Sequence, residues 1–259
     1  MILHHELQGD GPPLLLVHAG VADLRMWAGV AQRLSSVHRV IVCDLRGFGR
    51  TPLRDGRFSH ADDLVSLLDD IGVALTAVGG ASFGGAVALE LAIRAPERVR
   101  ALALMDPAIG EPFQWSDEVR AFGDAEDAAL EAGDVERAVE LNVRMWLDRT
   151  GREPGAVDPD VRALVAAMQR DAFVAQLGVD AEPEALDPPL AERLGDVRAP
   201  ALVMVGEDDV PDFRQIAERL VAQLPAARPL QVIPGAAHLP ALERPGAVSA
   251  LLLEFLADL

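Results

Sequence analysis

The chain has 259 residues, half of them hydrophobic, and a net charge of −18 at pH 7. This length and hydrophobic fraction are typical of a folded domain with a buried core and exclude an intrinsically disordered chain. The negative charge is spread along the sequence and disfavours binding to nucleic acids and to anionic membranes.

Cysteine usage and the first residues bear on the cellular compartment. Cys43 is the single cysteine, so the chain can form neither an internal disulfide nor a thiolate zinc cluster, which indicates a reducing compartment. Met1 to Gly11 lack the basic start and apolar core of a signal peptide, and no apolar run approaches the roughly 20 residues of a membrane span. These features predict a cytoplasmic protein.

Short apolar runs alternate with longer amphipathic segments along most of the chain. This pattern is typical of parallel strands joined by crossover helices and predicts an α/β fold, with a mostly parallel central sheet and helices on both faces. The predicted strands are Ile2 to Gln8, Leu14 to His18, Arg39 to Cys43, Ala74 to Gly79, Val99 to Met105, Ala201 to Val205 and Leu230 to Ile233. The predicted helices are about Leu24 to Leu34, Ala61 to Ile71, Phe83 to Ala95, Asp212 to Leu224 and Pro245 to Leu256.

The alternation breaks within residues 109–197, which have helical periodicity and turns but no predicted strand. Asp134 is the predicted N-cap of one helix, and Asp158 with Pro159 opens another that stops near Gly178. In the same way Ser59 is the predicted N-cap of the second helix. We therefore predict a core domain of residues 1–108 and 198–259 with a helical insertion of residues 109–197.

A serine lies at the junction between a predicted strand and a predicted helix. The segment from Gly80 to Gly84 matches G-x-S-x-G in the strand-turn-helix context that this motif requires. A serine at so sharp a turn has a strained backbone, and the residues two positions away must lack side chains. Ser82 is therefore the predicted nucleophile, and a serine that only caps the helix is the structural alternative.

The backbone N–H of Phe83 begins the helix that follows this serine. It would point at negative charge developing on a substrate oxygen, and the positive end of the helix would add to the stabilisation. Phe83 is therefore a predicted oxyanion-hole donor.

Six sequence blocks occur in the order of a known family over nearly the whole chain. They are Leu14 to Gly20, Asp44 to Gly49, Gly80 to Gly85, Pro96 to Val99, Gly206 to Asp209 and Gly235 to His238. Together they make the chain similar to the α/β-hydrolase superfamily, and the helical insertion resembles the cap domain of that family. The resemblance also implies that Asp44 and Arg46 form a structural ion pair.

The resemblance implies partners for Ser82, which needs an imidazole to take its proton and a carboxylate to orient that imidazole. His238 lies in the loop where the family has its general base. The family's acid lies three residues after the glycine that ends a strand, which here is Asp209. Asp106 and Asp208 are the alternatives, and the chain order Ser, Asp, His is that of the family.

His18 and Ala19 resemble the family's His-Gly motif, in which the histidine shapes the oxyanion loop and is not the base. By position, Gly20 is the predicted second oxyanion donor. Val21 is the alternative donor and a predicted substrate contact.

The sequence lacks residues that several other activities would require. Pro52 stands where a dinucleotide fingerprint needs glycine, and Gly9 stands where a zinc-binding helix needs its second histidine. No cofactor and no metal are predicted. The chain contains neither Tyr nor Lys, which, with a serine at the turn, disfavours the epoxide hydrolases, haloalkane dehalogenases and hydroxynitrile lyases of the superfamily.

The predicted activity is that of a serine hydrolase acting on a small-molecule ester, lactone or thioester, with carboxylesterase or lactonase activity as first choice. Hydrolysis of a carbon–carbon bond in a ring-cleavage product and cofactor-free perhydrolase or haloperoxidase activity are alternatives. An aminopeptidase would need a cap carboxylate, for which the candidates are Glu131, Glu136, Glu140 and Glu153. A non-catalytic small-molecule-binding protein is the alternative of a different class.

Apolar side chains of the insertion are predicted to roof a pocket for a small hydrophobic acyl group. They are Phe113, Trp115, Leu141, Met145, Trp146, Leu164, Met168 and Phe173. Trp146 is the predicted substrate contact. We thus predict a small molecule as the binding partner and no binding to nucleic acid or to a membrane. The oligomeric state is left open.

Overall fold

The computed structural model describes residues 2–110, 112–152 and 155–259, and a seven-stranded sheet runs through it. The strands of the described residues are β1 (His5–Gln8), β2 (Pro13–Val17), β3 (Arg39–Cys43), β4 (Gly56–Phe58), β5 (Thr76–Ala81), β6 (Val99–Met105), β7 (Ala181–Pro183), β8 (Ala201–Gly206) and β9 (Gln231–Ile233), of which β4 and β7 form a separate two-stranded sheet. The sheet order is β1-β3-β2-β5-β6-β8-β9. Only β1 is antiparallel to its neighbour, so the predicted mostly parallel sheet is confirmed.

Helices pack around this sheet. They are α1 (Ala28–Leu34), α2 (His60–Asp70), α3 (Phe83–Arg94), α4 (Asp117–Glu131), α5 (Val135–Val143), α6 (Pro159–Gln176), α7 (Pro211–Gln223), α8 (Pro240–Glu243) and α9 (Pro245–Ala257). α1 packs against α9, α2 against α3, and α7 against β8. A bilayer span needs about 20 apolar residues, and no helix in the described part of the chain combines that length with that hydropathy.

Three predicted N-caps are confirmed. The side chains of Ser59, Asp134 and Asp158 each accept a hydrogen bond from a backbone N–H in the first turn of α2, α5 and α6. These bonds satisfy donors that have no partner within the helix, and each is worth about 1 kcal/mol. A short polar residue directly before a run of periodic apolar positions therefore predicted the start of each of these helices.

The central strands explain where a site can form. Leu14, Leu15 and Leu16 of β2 are fully buried, as expected for a strand covered on both faces. Parallel strands end at one edge of the sheet, and in open α/β sheets ligands bind beyond the carboxyl ends of the strands. β5 and β8 end at this edge, with Ser82 just after β5.

The expectation that residues 109–197 contain no strand is wrong. β7 lies in this segment and pairs in parallel with β4. Each strand has three residues, so neither is long enough to show an alternating pattern. Helix α4 was also not predicted, although Ser116 caps it. The boundaries of the predicted core and insertion stay a prediction.

The implied ion pair between Asp44 and Arg46 is also wrong. Arg46 pairs with Asp63 of α2, with 2.5 Å between Nε and Oδ2. The Asp44 carboxylate accepts hydrogen bonds from the backbone N–H groups of Leu24 and Arg50, both at 2.8 Å. The two residues thus fasten the loop after β3 to different neighbours.

Backbone segments approach closely at Gly80 and Gly84. We therefore expect alanine to destabilise the protein there, in contrast to alanine at a glycine with open space around it. A Cβ on Gly80 would lie 2.3 Å from the carbonyl oxygen of Gly84, so Gly80→Ala is expected to destabilise the protein by about 3 kcal/mol. Gly123→Ala is the control: Gly123 lies within α4, and a Cβ there would meet no neighbouring atom within 4 Å, so alanine should stabilise by about 0.5–1 kcal/mol. Urea unfolding measures both; equal effects would contradict the prediction.

Candidate active site

The turn between β5 and α3 presents Ser82 in a strained conformation. Its backbone has φ 49° and ψ −115°, in the left-handed region that non-glycine residues rarely adopt. The surrounding structure holds it there: the Ser82 N–H donates to Met105 O at 2.9 Å, and the Ser82 carbonyl accepts from Ala108 N–H at 3.0 Å. Such strain is typical of functional turns.

The structure brings Ser82, His238 and Asp209 into one hydrogen-bonded row. His238 Nε2 lies 2.8 Å from Ser82 Oγ, and His238 Nδ1 lies 2.8 Å from Asp209 Oδ2. The side chains of His238 and Asp209 are 2% and 1% exposed. Because Asp209 can only accept when ionised, it sets the tautomer in which Nδ1 carries a proton and Nε2 faces the serine hydroxyl.

Aromatic side chains fix the His238 ring. Phe213 of α7 and Trp146 place their ring centroids 4.2 and 4.7 Å from that of the imidazole. The backbone N–H of His238 also donates to the carbonyl of Trp146 at 3.2 Å. The segment before α6 therefore contacts both the ring and the backbone of His238.

The two alternative acids occupy different surroundings. Asp208 pairs with Arg152 at 3.2 Å and its side chain is 36% exposed. Asp106 is fully buried at the end of β6, where its Oδ1 accepts from the Gly206 N–H at 2.8 Å. Carboxylate or imidazole atoms of Asp106, Asp209 and His238 lie within 4.8 Å of one another. His238 and Asp209 bond to each other, so we assign this cluster to hydrogen bonding and not to a metal.

Burial, and next the charge of Asp209, raise the pKa of the Asp106 carboxyl well above its usual range. The fold therefore disfavours the ionised form of Asp106, which the unfolded chain adopts above about pH 4, so this group lowers stability as pH rises. Asp106→Asn removes this cost. We expect it to raise Tm at pH 8, with the gain vanishing near pH 4. Thermal unfolding across pH measures this; a pH-independent difference would contradict it.

The predicted oxyanion donors lie around Ser82. Phe83 is the first residue of α3, so its N–H has no acceptor within the helix. Gly20 lies beside it, since a Cβ on Gly20 would be 3.4 Å from Phe83 Cβ. Gly20 and Val21 both line the cavity that contains Ser82, and the choice between their amides stays a prediction.

His18 supports the loop that carries Gly20. Its Nδ1 lies 2.8 Å from the Ala19 carbonyl and must donate, and its Nε2 accepts from the Leu45 N–H at 3.0 Å. A ring that donates through one nitrogen and accepts through the other is neutral. Burial also lowers the pKa of His18, which agrees with a structural role.

A cavity of about 320 Å³ opens over Ser82 and His238. Of the eight apolar residues predicted to roof it, Trp146 and Phe173 line it. Sequence reasoning missed the remaining side chains, which are Phe122, Glu126, Asn142, Gln169, Gln176 and Phe213. Asn142 was visible as a polar exception within an apolar helical face. Glu131, Glu136 and Glu140 do not line this cavity, and Glu153 lies outside the described residues.

Arg152 ties the segment before α6 to the loop that carries His238. It donates to Gly235 O at 2.9 Å and pairs with Glu243 at 2.7 Å, while Glu243 Oε1 accepts from the Ala237 N–H at 2.8 Å. The side chains of Arg152 and Glu243 are 5% and 3% exposed. Through these bonds the buried pair fixes Gly235 and Ala237, which are the two ends of the short segment directly before His238.

Removal of Arg152 leaves a buried carboxylate without its cation. We expect Arg152→Leu to destabilise the protein by about 3–5 kcal/mol. The double variant Arg152→Leu/Glu243→Gln should regain a large share, because it no longer buries an unpaired charge. Chemical unfolding of the two variants tests the pair, and equal stability of the single and double variants would count against it.

Known proteins resemble this chain in sequence. The α/β hydrolase fold family matches residues 12–149, more than half of the chain. The 2-hydroxymuconate semialdehyde hydrolase of Pseudomonas putida is 42% identical over 112 residues, covering 41% of this chain and 40% of that protein. A pimeloyl-(acyl-carrier protein) methyl ester esterase of Nitrosospira multiformis is 28% identical over 98% of this chain and 97% of its own.

A solved structure agrees over the full length. The thermophilic esterase from Thermogutta terrifontis superposes with a TM-score of 0.79 and 29% identity, covering 99% of this chain and 93% of that one. The strand order, the turn at Ser82 and the family match all concur. The chain belongs to the α/β hydrolase fold family.

Proposed function

We propose that this protein is a serine hydrolase that cleaves a small-molecule carboxylic ester through an acyl-enzyme. The observation that carries the proposal is the hydrogen-bonded row from Ser82 Oγ through His238 to Asp209, beside a cavity large enough for a small substrate. A serine hydroxyl is a weak nucleophile until a base takes its proton, and this row supplies the base and its orienting carboxylate.

We propose a role for each of these residues in acylation. Ser82 Oγ attacks the ester carbonyl while His238 Nε2 takes its proton. The N–H groups of Phe83 and Gly20, with Val21 as the alternative to Gly20, stabilise the negative oxygen of the tetrahedral intermediate. His238 then gives the proton to the leaving alkoxide, and Asp209 stabilises the imidazolium in between.

Deacylation repeats these steps with water. His238 takes a proton from the water that attacks the acyl carbonyl, and the tetrahedral intermediate collapses to release the acid and return the proton to Ser82 Oγ. The cavity wall of Phe122, Trp146 and Phe173 suits an apolar acyl chain. Both half-reactions use one set of residues.

Charge in the cavity favours an ester over the carbon–carbon bond substrates of some relatives. One relative is named for a muconate semialdehyde and another for a heptadienoate, and both names denote carboxylates. Among the described residues that line the cavity there is no arginine, and Glu126 is acidic. A substrate anion there would lack a cation to pair with.

The test is turnover and covalent labelling of the wild-type protein. We expect hydrolysis of short-chain p-nitrophenyl esters, and stoichiometric attachment of a serine-directed phosphonate to the peptide that contains Ser82, located by mass spectrometry. Peroxide-dependent activity on a carboxylic acid, in place of ester hydrolysis, would favour the perhydrolase alternative. Absence of both turnover and labelling would contradict the proposal and favour a binding protein.

A further inference from the structure

Four polar side chains line the cavity over Ser82, alongside the apolar Phe122 and Phe173. Glu126 comes from α4, Asn142 from α5, and Gln169 and Gln176 from α6. All four belong to the helices between β6 and β8, and so they lie on the part of the wall that α4, α5 and α6 supply. Buried polar groups normally have hydrogen-bond partners, so the partners of these four side chains show which of them are available to a ligand.

Two of the four already have hydrogen-bond partners. Asn142 Nδ2 donates to Glu126 Oε1 and to Ala138 O, and Asn142 Oδ1 accepts from Trp146 Nε1 at 3.1 Å. Gln176 Nε2 donates to the Gly47 carbonyl at 3.1 Å. These bonds hold Trp146 and α6 in place, and they use up the donors of Asn142.

Gln169 keeps an acceptor without a partner. It is 4% exposed, and its Oε1 is buried with no hydrogen-bond partner in the described part of the chain. Glu126 adds more acceptor capacity, since Asn142 occupies only one of its two oxygens. Burial raises the pKa of Glu126, so a donor from a ligand would favour its ionised form.

We propose that Glu126 and Gln169 form an acceptor subsite that binds a hydroxyl or ammonium group on the part of the substrate that extends away from Ser82. This inference rests on the proposed function, and it makes the substrate class an ester with a hydrogen-bond-donating group remote from the scissile bond. The same acceptors and the lack of a cationic side chain among the described lining residues disfavour a terminal carboxylate there.

The test compares p-nitrophenyl esters that differ only at the far end of the acyl chain. The acyl chains run in length from hexanoate to octanoate. At each length, the far end of the chain carries a methyl, a hydroxyl or a carboxylate group. We expect kcat/KM of the hydroxyl ester to exceed that of the methyl ester about tenfold or more at one length, as for a hydrogen bond to a charged or buried acceptor. The carboxylate ester is expected to be the poorest substrate.

Variants assign the preference to the two residues. Glu126→Gln removes the negative charge and replaces one carboxylate oxygen by an NH₂ donor, so the hydroxyl-to-methyl ratio should fall and the carboxylate ester should improve. Gln169→Leu should lower the ratio and also raise Tm, because it removes a buried acceptor that lacks a partner in the free protein. Glu131→Gln, an exposed position on the same helix as Glu126, is the control and should leave the ratios unchanged.

The outcomes separate this inference from the function on which it rests. Failure to hydrolyse any of the esters overturns both. Hydrolysis with a hydroxyl-to-methyl ratio near one at every chain length overturns the subsite alone. A ratio above one that persists in both Glu126→Gln and Gln169→Leu overturns it too, and Gln169→Leu by itself decides if Glu126→Gln does not fold.

Discussion

Replacement of Ser82 by alanine is expected to lower kcat for a short aryl ester by about 10⁵–10⁶-fold. In the proposed mechanism Ser82 Oγ forms the acyl-enzyme, and without it His238 Nε2, which lies 2.8 Å away, has no hydroxyl to activate. The variant should fold, because alanine has the same backbone and Ser82 Oγ bonds to no residue other than His238 among those described.

The measurement is steady-state hydrolysis of p-nitrophenyl butyrate together with Tm. Ser66→Ala is the matched control, since Ser66 is exposed on α2 and its hydroxyl donates to Asp62 O at 2.9 Å. It should keep wild-type activity. Residual activity of Ser82→Ala within a hundredfold of the wild type, at unchanged Tm, would place the nucleophile elsewhere.

Asp209→Asn is expected to lower kcat by about 10⁴-fold. An amide in place of the carboxylate can no longer stabilise the imidazolium that forms at His238, and its NH₂ group favours the wrong ring tautomer. The 2.8 Å contact with His238 Nδ1 makes Asp209 the carboxylate that acts on the base directly.

The other two carboxylates near this point are the controls. Asp106→Asn keeps a hydrogen-bonding group at a position where burial already disfavours the ionised acid, so kcat should change little. Asp208→Asn removes a partly exposed partner of Arg152 and should also leave kcat near the wild-type value. A larger loss from Asp106→Asn than from Asp209→Asn, at equal stability, would reverse the assignment.

Local chemistry explains which elements were predictable. β3 and β6 were predicted with the observed bounds because each is a short and mostly apolar run, and runs of this length are typical of buried strands. The starts of α5 and α6 followed from Asp134 and Asp158, whose side chains bond to backbone N–H groups two or three residues on. β4 and β7 were not predictable, because three-residue strands are stabilised by their pairing and not by their own sequence.

The sequence by itself determined the α/β fold and the strained turn at Ser82, because glycine spacing and strand patterns are local properties, and its resemblance to the family pointed to His238 as the partner of Ser82. Only the tertiary structure decided which carboxylate faces His238, and it did so by placing Asp209 against Nδ1 and Asp208 against Arg152. The structure alone also placed Phe213, Glu126 and Gln169 around the cavity. They come from α7, α4 and α6, and helices far apart in sequence meet only when the chain packs.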